Sequence, residues 1–537
     1  MILFYYPLIL LSILGYGFIT SKKIIGIKTL NLGFQGLIGI FSLLIISYFS
    51  TQFLAHTIQF NFFVIIIGLI FFFIYAKDYN KDKNFKLLFY LILLTYIFIL
   101  VGKNHDDFHY YHFPYTIILT ELPHPLGLGN LNHGFKTHSS IFLLSSLFYL
   151  PCAKYSLFNL GPAYFLVFAN FIILKLIFDK NIQKKYYFIT ILALSSFFFI
   201  NIFFYRLSEH GTDRSAIILI ILLILNLLLF LNLNQKKIDL DNLKILTIFF
   251  TIIVSLKAFY LIYSIFLLPL VISLIKKRNF YGLKIFLNKA TFYSLILLIF
   301  VFLTNLFNTG CLIFPEKKTC FFELSWSLSS ETVEYLSIHY ENWAKAGSGV
   351  GYSISDEEKL IYISNFNWIE NWLEKYFFNK VSDLILSLIF ISLIFLFIFK
   401  GHKSLKKYNR RYKLLGILLF FIFLIWFSLH PTLRYGGYHL FYFLFFIPLS
   451  IFLEKYSHNS RNFDKKIITI ITITLIIFVG RNIARLEKEN RIYSYKILND
   501  INYPLNTSSF RYQIEIQNQI KDKKVKKIYR DRYIFYK

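Results

Sequence analysis

Runs of about 13 to 22 consecutive apolar residues recur from Ile2 to about Gly480, and this recurrence most restricts how the 537-residue chain can fold. They fall at 1–19, 33–51, 61–76, 87–101, 157–178, 186–205, 214–233, 244–256, 258–275, 291–307, 381–400, 414–429, 438–453 and 466–480. A helix of roughly 20 apolar residues crosses the hydrocarbon core of a bilayer. Only 16% of the residues are charged, against roughly 25% in soluble domains, which excludes a water-soluble globular enzyme. The sequence therefore predicts one all-α polytopic membrane domain over 1–480 and a small exoplasmic tail over 481–537. Stretches such as YQIEIQNQI give that tail a mixed strand-and-helix character. The first run has neither a basic flank nor a small-residue cleavage site, so it reads as a retained span.

Lys and Arg total 57 against 29 Asp and Glu, a net charge of +28. An excess of that size can signal nucleic acid, but here the cations gather in short loops between apolar runs. Lys22 with Lys23, residues 77–86, Lys184 with Lys185, Lys236 with Lys237, Lys276 to Arg278, residues 400–413, and Lys465 with Lys466 carry 22 of the 57. Such loops stay in the cytoplasm, so the partner is the lipid bilayer and not nucleic acid. The apolar stretch 139–150 is too short to cross and reads as a re-entrant or surface-lying helix. With it uncrossed, every basic loop shares one side, giving about 14 spans with both ends outside.

The outer side then collects the candidate chemistry, in loops 102–138 and 308–380 and in short turns. Adjacent carboxylates at Asp106 and Asp107, followed by His109 and His112, can supply a general base, a ligand for a divalent metal (Mg or Mn), or an acidic helix cap. Lys136 and His138 close the same Pro- and Gly-rich loop as anion-binding or interfacial residues. Arg206, Glu209 and Asp213 crowd one turn between two spans, and ionisable groups at a membrane edge are functional candidates. Lys257 interrupts a run of about thirty apolar residues; a break between two helices at the outer surface spares it the cost of a mid-membrane charge. Arg434 and Tyr435 precede Gly436-Gly437, and the guanidinium offers a forked donor set that matches phosphate. Cys311 and Cys320 lie on the oxidising side and are expected to pair. Trp326, Trp343, Trp368 and Trp372 in the long loop either pack at the interface or stack on sugar rings. Three cysteines without a CxxC pair exclude a four-Cys zinc site.

An Asp-Asp motif in the first large outer loop, surface helices after it, many spans, further outward polar loops and an outer C-terminal appendage together resemble the GT-C superfamily of integral-membrane glycosyltransferases. Thr309 to Trp326, with Trp343-Ala344-Lys345-Ala346, also looks like a group of largely uncharacterised bacterial membrane proteins of this type. About three spans precede the Asp-Asp loop where one is usual, and the large outer loop is mid-chain. The resemblance implies transfer of a sugar from a polyprenyl-phosphate donor to a lipid, glycan or protein acceptor at the outer face. Asp106 or Asp107 would be the base or metal ligand, and a metal is not required. From charge alone, Lys136, Lys257, Arg206 and Arg434 are the candidates for holding the released phosphate. A polysaccharide polymerase or O-antigen-ligase-like enzyme is the alternative enzyme, and a lipid-glycan flippase or transporter the alternative outside catalysis.

Overall fold

The computed structural model describes residues 1–27, 30–76, 83–101, 105–209, 211–232, 240–278, 285–347, 355, 358–403, 413–457, 460–493, 511–522, 527–530 and 533–536. The basic segments 77–82, 236–237 and 404–412, His210, and tail residues 494–510 lie outside that set.

Helices dominate. In chain order they are α1 (Ile2–Ile19), α2 (Leu32–Thr51), α3 (Ile58–Tyr75), α4 (Lys83–Ile99), α5 (Phe113–Glu121), α6 (Ser140–Ser146), α7 (Leu160–Phe178), α8 (Lys180–Lys185), α9 (Tyr187–Phe203), α10 (Thr212–Asn232), α11 (Leu240–Leu256), α12 (Leu268–Arg278), α13 (Lys289–Thr309), α14 (Ser330–Lys345), α15 (Lys359–Ile363), α16 (Ile369–Trp372), α17 (Ser382–Phe399), α18 (Lys413–Leu429), α19 (Gly437–Leu453), α20 (Ser460–Tyr493) and α21 (Arg511–Lys521). Among the described residues, four short strands form two antiparallel pairs, β1 (His402–Lys403) with β2 (Tyr456–Ser457), and β3 (Lys527–Arg530) with β4 (Tyr533–Tyr536).

The apolar runs fall on helices. Among the described residues, eight helical stretches are long and apolar enough to cross a membrane, with shorter apolar helices of 10–17 residues between them. Burial sorts the eight. The stretch that forms α10 is 94% buried, whereas those containing α3, α17 and α20 are 28% buried although they too are strongly apolar. A helix apolar all round belongs either inside a protein or in lipid. On α17 the exposed side chains Leu386, Ile389, Phe390, Leu393 and Phe397 follow helical spacing, and Phe292, Leu295 and Ile299 do so on α13. Exposed apolar stripes of this kind are compatible with a lipid bilayer. Inside, α1 and α3 meet almost backbone to backbone: a Cβ on Gly15 would lie 1.8 Å from the Gly68 carbonyl oxygen, so only glycine fits.

Two features bear on the site. Helix α6 has seven residues, all buried, and at 1.5 Å per residue it is only about 10 Å long, so stretch 139–150 holds no helix long enough to cross. Helix α20, by contrast, does not stop at Gly480 but runs to Tyr493. Its polar residues have partners there. Arg485 donates to the carbonyl oxygens of Ile97 and Leu100, satisfying the open end of α4, and pairs with Glu489. Further along, β4 docks on the first outer loop: Leu126 N–H donates to Ile534 O at 3.0 Å, and Tyr536 N–H donates to Leu126 O at 2.9 Å.

Candidate functional site

The polar residues singled out in the outer turns converge where α10 and α19 begin and α11 and α13 end. Asp213 lies in the first turn of α10, where the helix dipole favours a carboxylate. Its side chain is 6% exposed, so it is stable as an anion only if paired. Lys257 does this from the break after α11, where extended backbone turns the chain into a 3-10 segment, Ala258–Leu267. Its Nζ lies 2.7 Å from Asp213 Oδ1. Arg434 arrives from the turn before α19 and bridges two acids, with Nε 3.1 Å from Asp213 Oδ2 and Nη2 3.3 Å from Asp107 Oδ2. Tyr435 lies beneath both cations, its ring centre 5.0 Å from Lys257 Nζ and 5.6 Å from the Arg434 guanidinium.

Aromatic side chains hold the Arg434 turn by satisfying its backbone. Trp372 Nε1 donates to Pro431 O and Trp426 Nε1 to Thr432 O, both at 2.8 Å, while Leu433 N–H donates to Tyr376 Oη at 2.7 Å. Trp372 is thus a buried support of this turn, and Trp368, also buried, packs edge-on against it at 6.0 Å, so neither is a sugar platform.

Next to this cluster lies a cavity of about 330 Å³, within the range of small-molecule sites. Asp107, Lys257, Arg434 and Tyr435 line one part of it; His133, Lys136 and His138 line another. The long outer loop closes it with His339, Tyr340 and Trp343 from α14 and with Phe314 and Pro315. Cys311 and Cys320 do form a disulfide, and it closes the base of the loop that bears Phe314 and Pro315. In the first outer loop Gly134 permits a close approach, since a Cβ there would meet the Tyr111 ring at 2.3 Å.

Lys136 differs from the other two cations. Among the described residues no carboxylate or acceptor pairs with it, and burial pushes its ammonium down to about 8. Lys136 lies outside the membrane-spanning helices, so a water-soluble reagent can test this. At pH 8 about a hundredfold more of its amine is neutral than for an ordinary lysine near 10.4. Lys136 is expected to acylate ahead of the surface lysines at that pH, read by peptide mass spectrometry. Labelling no faster than theirs would refute its burial in the cavity.

The structure separates other residues that the sequence grouped. Asp106 is exposed while Asp107 faces the cavity, so the two carboxylates do not converge on one point. Among the described residues no cluster of three or more His, Cys, Asp or Glu is arranged to hold a metal. His112 is buried against Tyr111 and Phe142, and His109 is half-buried outside the cavity lining. Arg206 spends its fork on Glu209, at 2.6 and 2.7 Å, and neither lines the cavity. His138 lines it, but its nitrogens share hydrogen bonds with Tyr48 and Tyr115 at 2.7 and 3.3 Å. Its role is to fix the wall rather than to donate to a ligand. Sequence reasoning did not single out Tyr111, His133, His339, Tyr340 or Asn305 as site residues. For His339 a signal existed: with Trp343 it has i,i+4 spacing, which puts both on one face of a helix capped by Ser329.

A polytopic helical bundle with a charged cavity at one end is the class that fold and site define. Residues 1–442 match the family described as a domain of unknown function (DUF8201), and the chain belongs to that family. The match spans every cavity-lining residue. No curated protein and no solved structure matches the chain.

Proposed function

We infer that the chain is a membrane glycosyltransferase of GT-C type, moving a sugar from a polyprenyl-phosphate donor to a lipid, glycan or protein acceptor. In this reading the bundle crosses a bacterial cytoplasmic membrane about 14 times, the shorter apolar helices included, with the cavity on the exoplasmic side. The observation that carries it is the charge pattern of the site. Lys136, Lys257, Arg434 and Asp107 line the cavity and Asp213 lies behind Lys257 and Arg434, three cations against two carboxylates. The cavity therefore favours an anion while retaining a carboxylate at its wall.

The acceptor hydroxyl oxygen attacks the anomeric carbon, and the bond from that carbon to the phosphate oxygen breaks. Its electron pair leaves on the phosphate, and the hydroxyl proton passes to Asp107. The cations stabilise the charge that grows on the leaving phosphate, an effect that is strong where water is scarce. A polymerase or ligase is the second reading, favoured by the central place of Arg434, which touches both acids. A transporter fits less well, because these charges gather at helix ends rather than along the helices.

The test reconstitutes the protein in vesicles with radiolabelled polyprenyl-phosphate sugars and follows loss of label from the lipid. Transfer or hydrolysis above protein-free vesicles supports the enzyme reading. Movement of intact labelled lipid between leaflets without turnover would replace it with transport.

A further inference from the structure

The glycosyl-transfer reading requires a place for the donor's anion, and the three cations of the cavity are not equivalent. Lys257 and Arg434 are both engaged by carboxylates, at 2.7 to 3.3 Å, so these two cations and the two acids they meet sum to no net charge. Among the described residues that line the cavity, Lys136 carries the uncompensated charge. Beside it stands His133, whose ring is 6.2 Å from that of His339 and 5.5 Å from that of Tyr340. Burial pushes His133 down to about 4, so at neutral pH it contributes a hydrogen-bonding ring and no charge.

Helix α14 meets both sets of residues. His339 and Trp343 are four residues apart on one face, about 6 Å along the axis. The first reaches His133, and the second packs 6.1 Å from the Tyr435 ring and 6.0 Å from the Arg434 guanidinium. His133, three residues before Lys136, and the Arg434–Tyr435 turn, which meets Asp107, thus contact α14 about one helical turn apart. That is close to the width of one pyranose ring.

We propose that Lys136, flanked by His133 and His339, is the subsite for a single phosphate bonded directly to a sugar ring, and that the ring lies along α14 towards Asp107. One uncompensated positive charge matches the one negative charge of a phosphodiester, whereas a diphosphate-linked sugar brings more charge than this end balances. The proposal rests on the glycosyl-transfer reading for the ring and on Lys136 alone for the anion, and its test keeps the two apart.

The intact protein in vesicles is acylated with and without two probes, inorganic phosphate in solution and polyprenyl phosphate in the bilayer. Both are expected to slow Lys136 labelling several-fold, because an anion holds the amine protonated and covers it. Protection by the lipid at lower doses than by the free ion identifies a lipid headgroup as the source, and the reverse identifies a soluble sugar phosphate. Retention of labelled polyprenyl phosphate is then compared among variants. Lys136→Gln is expected to lose at least tenfold in affinity, Lys136→Arg to restore most of it, and Lys257→Met to lose less than Lys136→Gln. His339→Ala, still labelled at Lys136, should weaken protection. Thermal midpoints identify any variant that has unfolded.

Undiminished labelling with both probes overturns the proposal, as does full retention by Lys136→Gln. Protection at Lys136 without turnover of any donor would sink the transferase reading and leave the anion subsite. Transfer that is insensitive to Lys136→Gln would do the opposite.

Discussion

Replacing Asp107 by Asn is expected to lower transfer by about 10²- to 10⁴-fold, the share a positioned general base contributes. Asp106→Asn should change it by no more than a few-fold. The two residues are adjacent and chemically identical, so the contrast isolates position. Asp107 lines the cavity and meets Arg434 at 3.3 Å, whereas Asp106 is exposed and outside the lining. Asn keeps the shape and loses the proton acceptor, and initial rates in vesicles with saturating donor measure the difference. Equal losses in both variants would mean that the acidic pair acts as a unit. Full activity in Asp107→Asn would remove the base from the mechanism, and loss in Arg434→Ala alone would then move the assignment to the polymerase or ligase class.

Asp213→Asn is expected to be the most destabilising single change at the site. The carboxylate is 6% exposed and holds two cations from different parts of the chain. Breaking a buried ion pair by removing one partner typically costs about 3–5 kcal/mol. The lower end applies here, since the Lys257 and Arg434 side chains are 21% and 31% exposed and reach the cavity. Removing Lys257 as well should recover a large part of the loss, because Asp213→Asn with Lys257→Met returns the cluster to charge balance. Thermal unfolding in detergent across the four combinations gives the coupling directly. Additive losses would show that Asp213 and Lys257 are neighbours without being energetic partners, and the charge balance of the cluster would need another account.

Most of the individual residues in this cluster were legible in the sequence. Asp107, Asp213, Lys257 and Arg434 stand out because a charge at the end of an apolar run is rare and costly. Their pairing was not legible, since Asp107 and Arg434 are 327 positions apart and hydrophobic periodicity carries only local information. The same limit explains Arg206. Its charge suggested phosphate, yet Glu209 three residues on takes both its donors. Nor does composition distinguish Asp106 from Asp107, because the direction of each side chain follows from how the segment enters the helical turn at Phe108. Helix α20 shows the reverse error. Polar residues after Gly480 read as a tail because Arg485 and Glu489 look solvent-seeking, while in the fold they pair with each other and cap another helix. The apolar runs announced helices reliably, but how far each extends depends on partners that the run itself does not contain.

The docking of β4 on Leu126 has a consequence for how the chain is threaded. Two segments that share backbone hydrogen bonds lie on one face of a bilayer, so the chain between Leu126 and Ile534 crosses an even number of times. The side-chain pairs impose the same parity on shorter closed circuits: Asp107 to Arg434, Asp213 to Lys257, and Asp213 to Arg434. A single extra crossing, such as one made by stretch 139–150, would put Asp107 and Asp213 on opposite faces, where Arg434 could not touch both. Each contact in the site is thus also a topological count, and glycosylation or cysteine-accessibility tags in the intervening loops can be scored against it one circuit at a time.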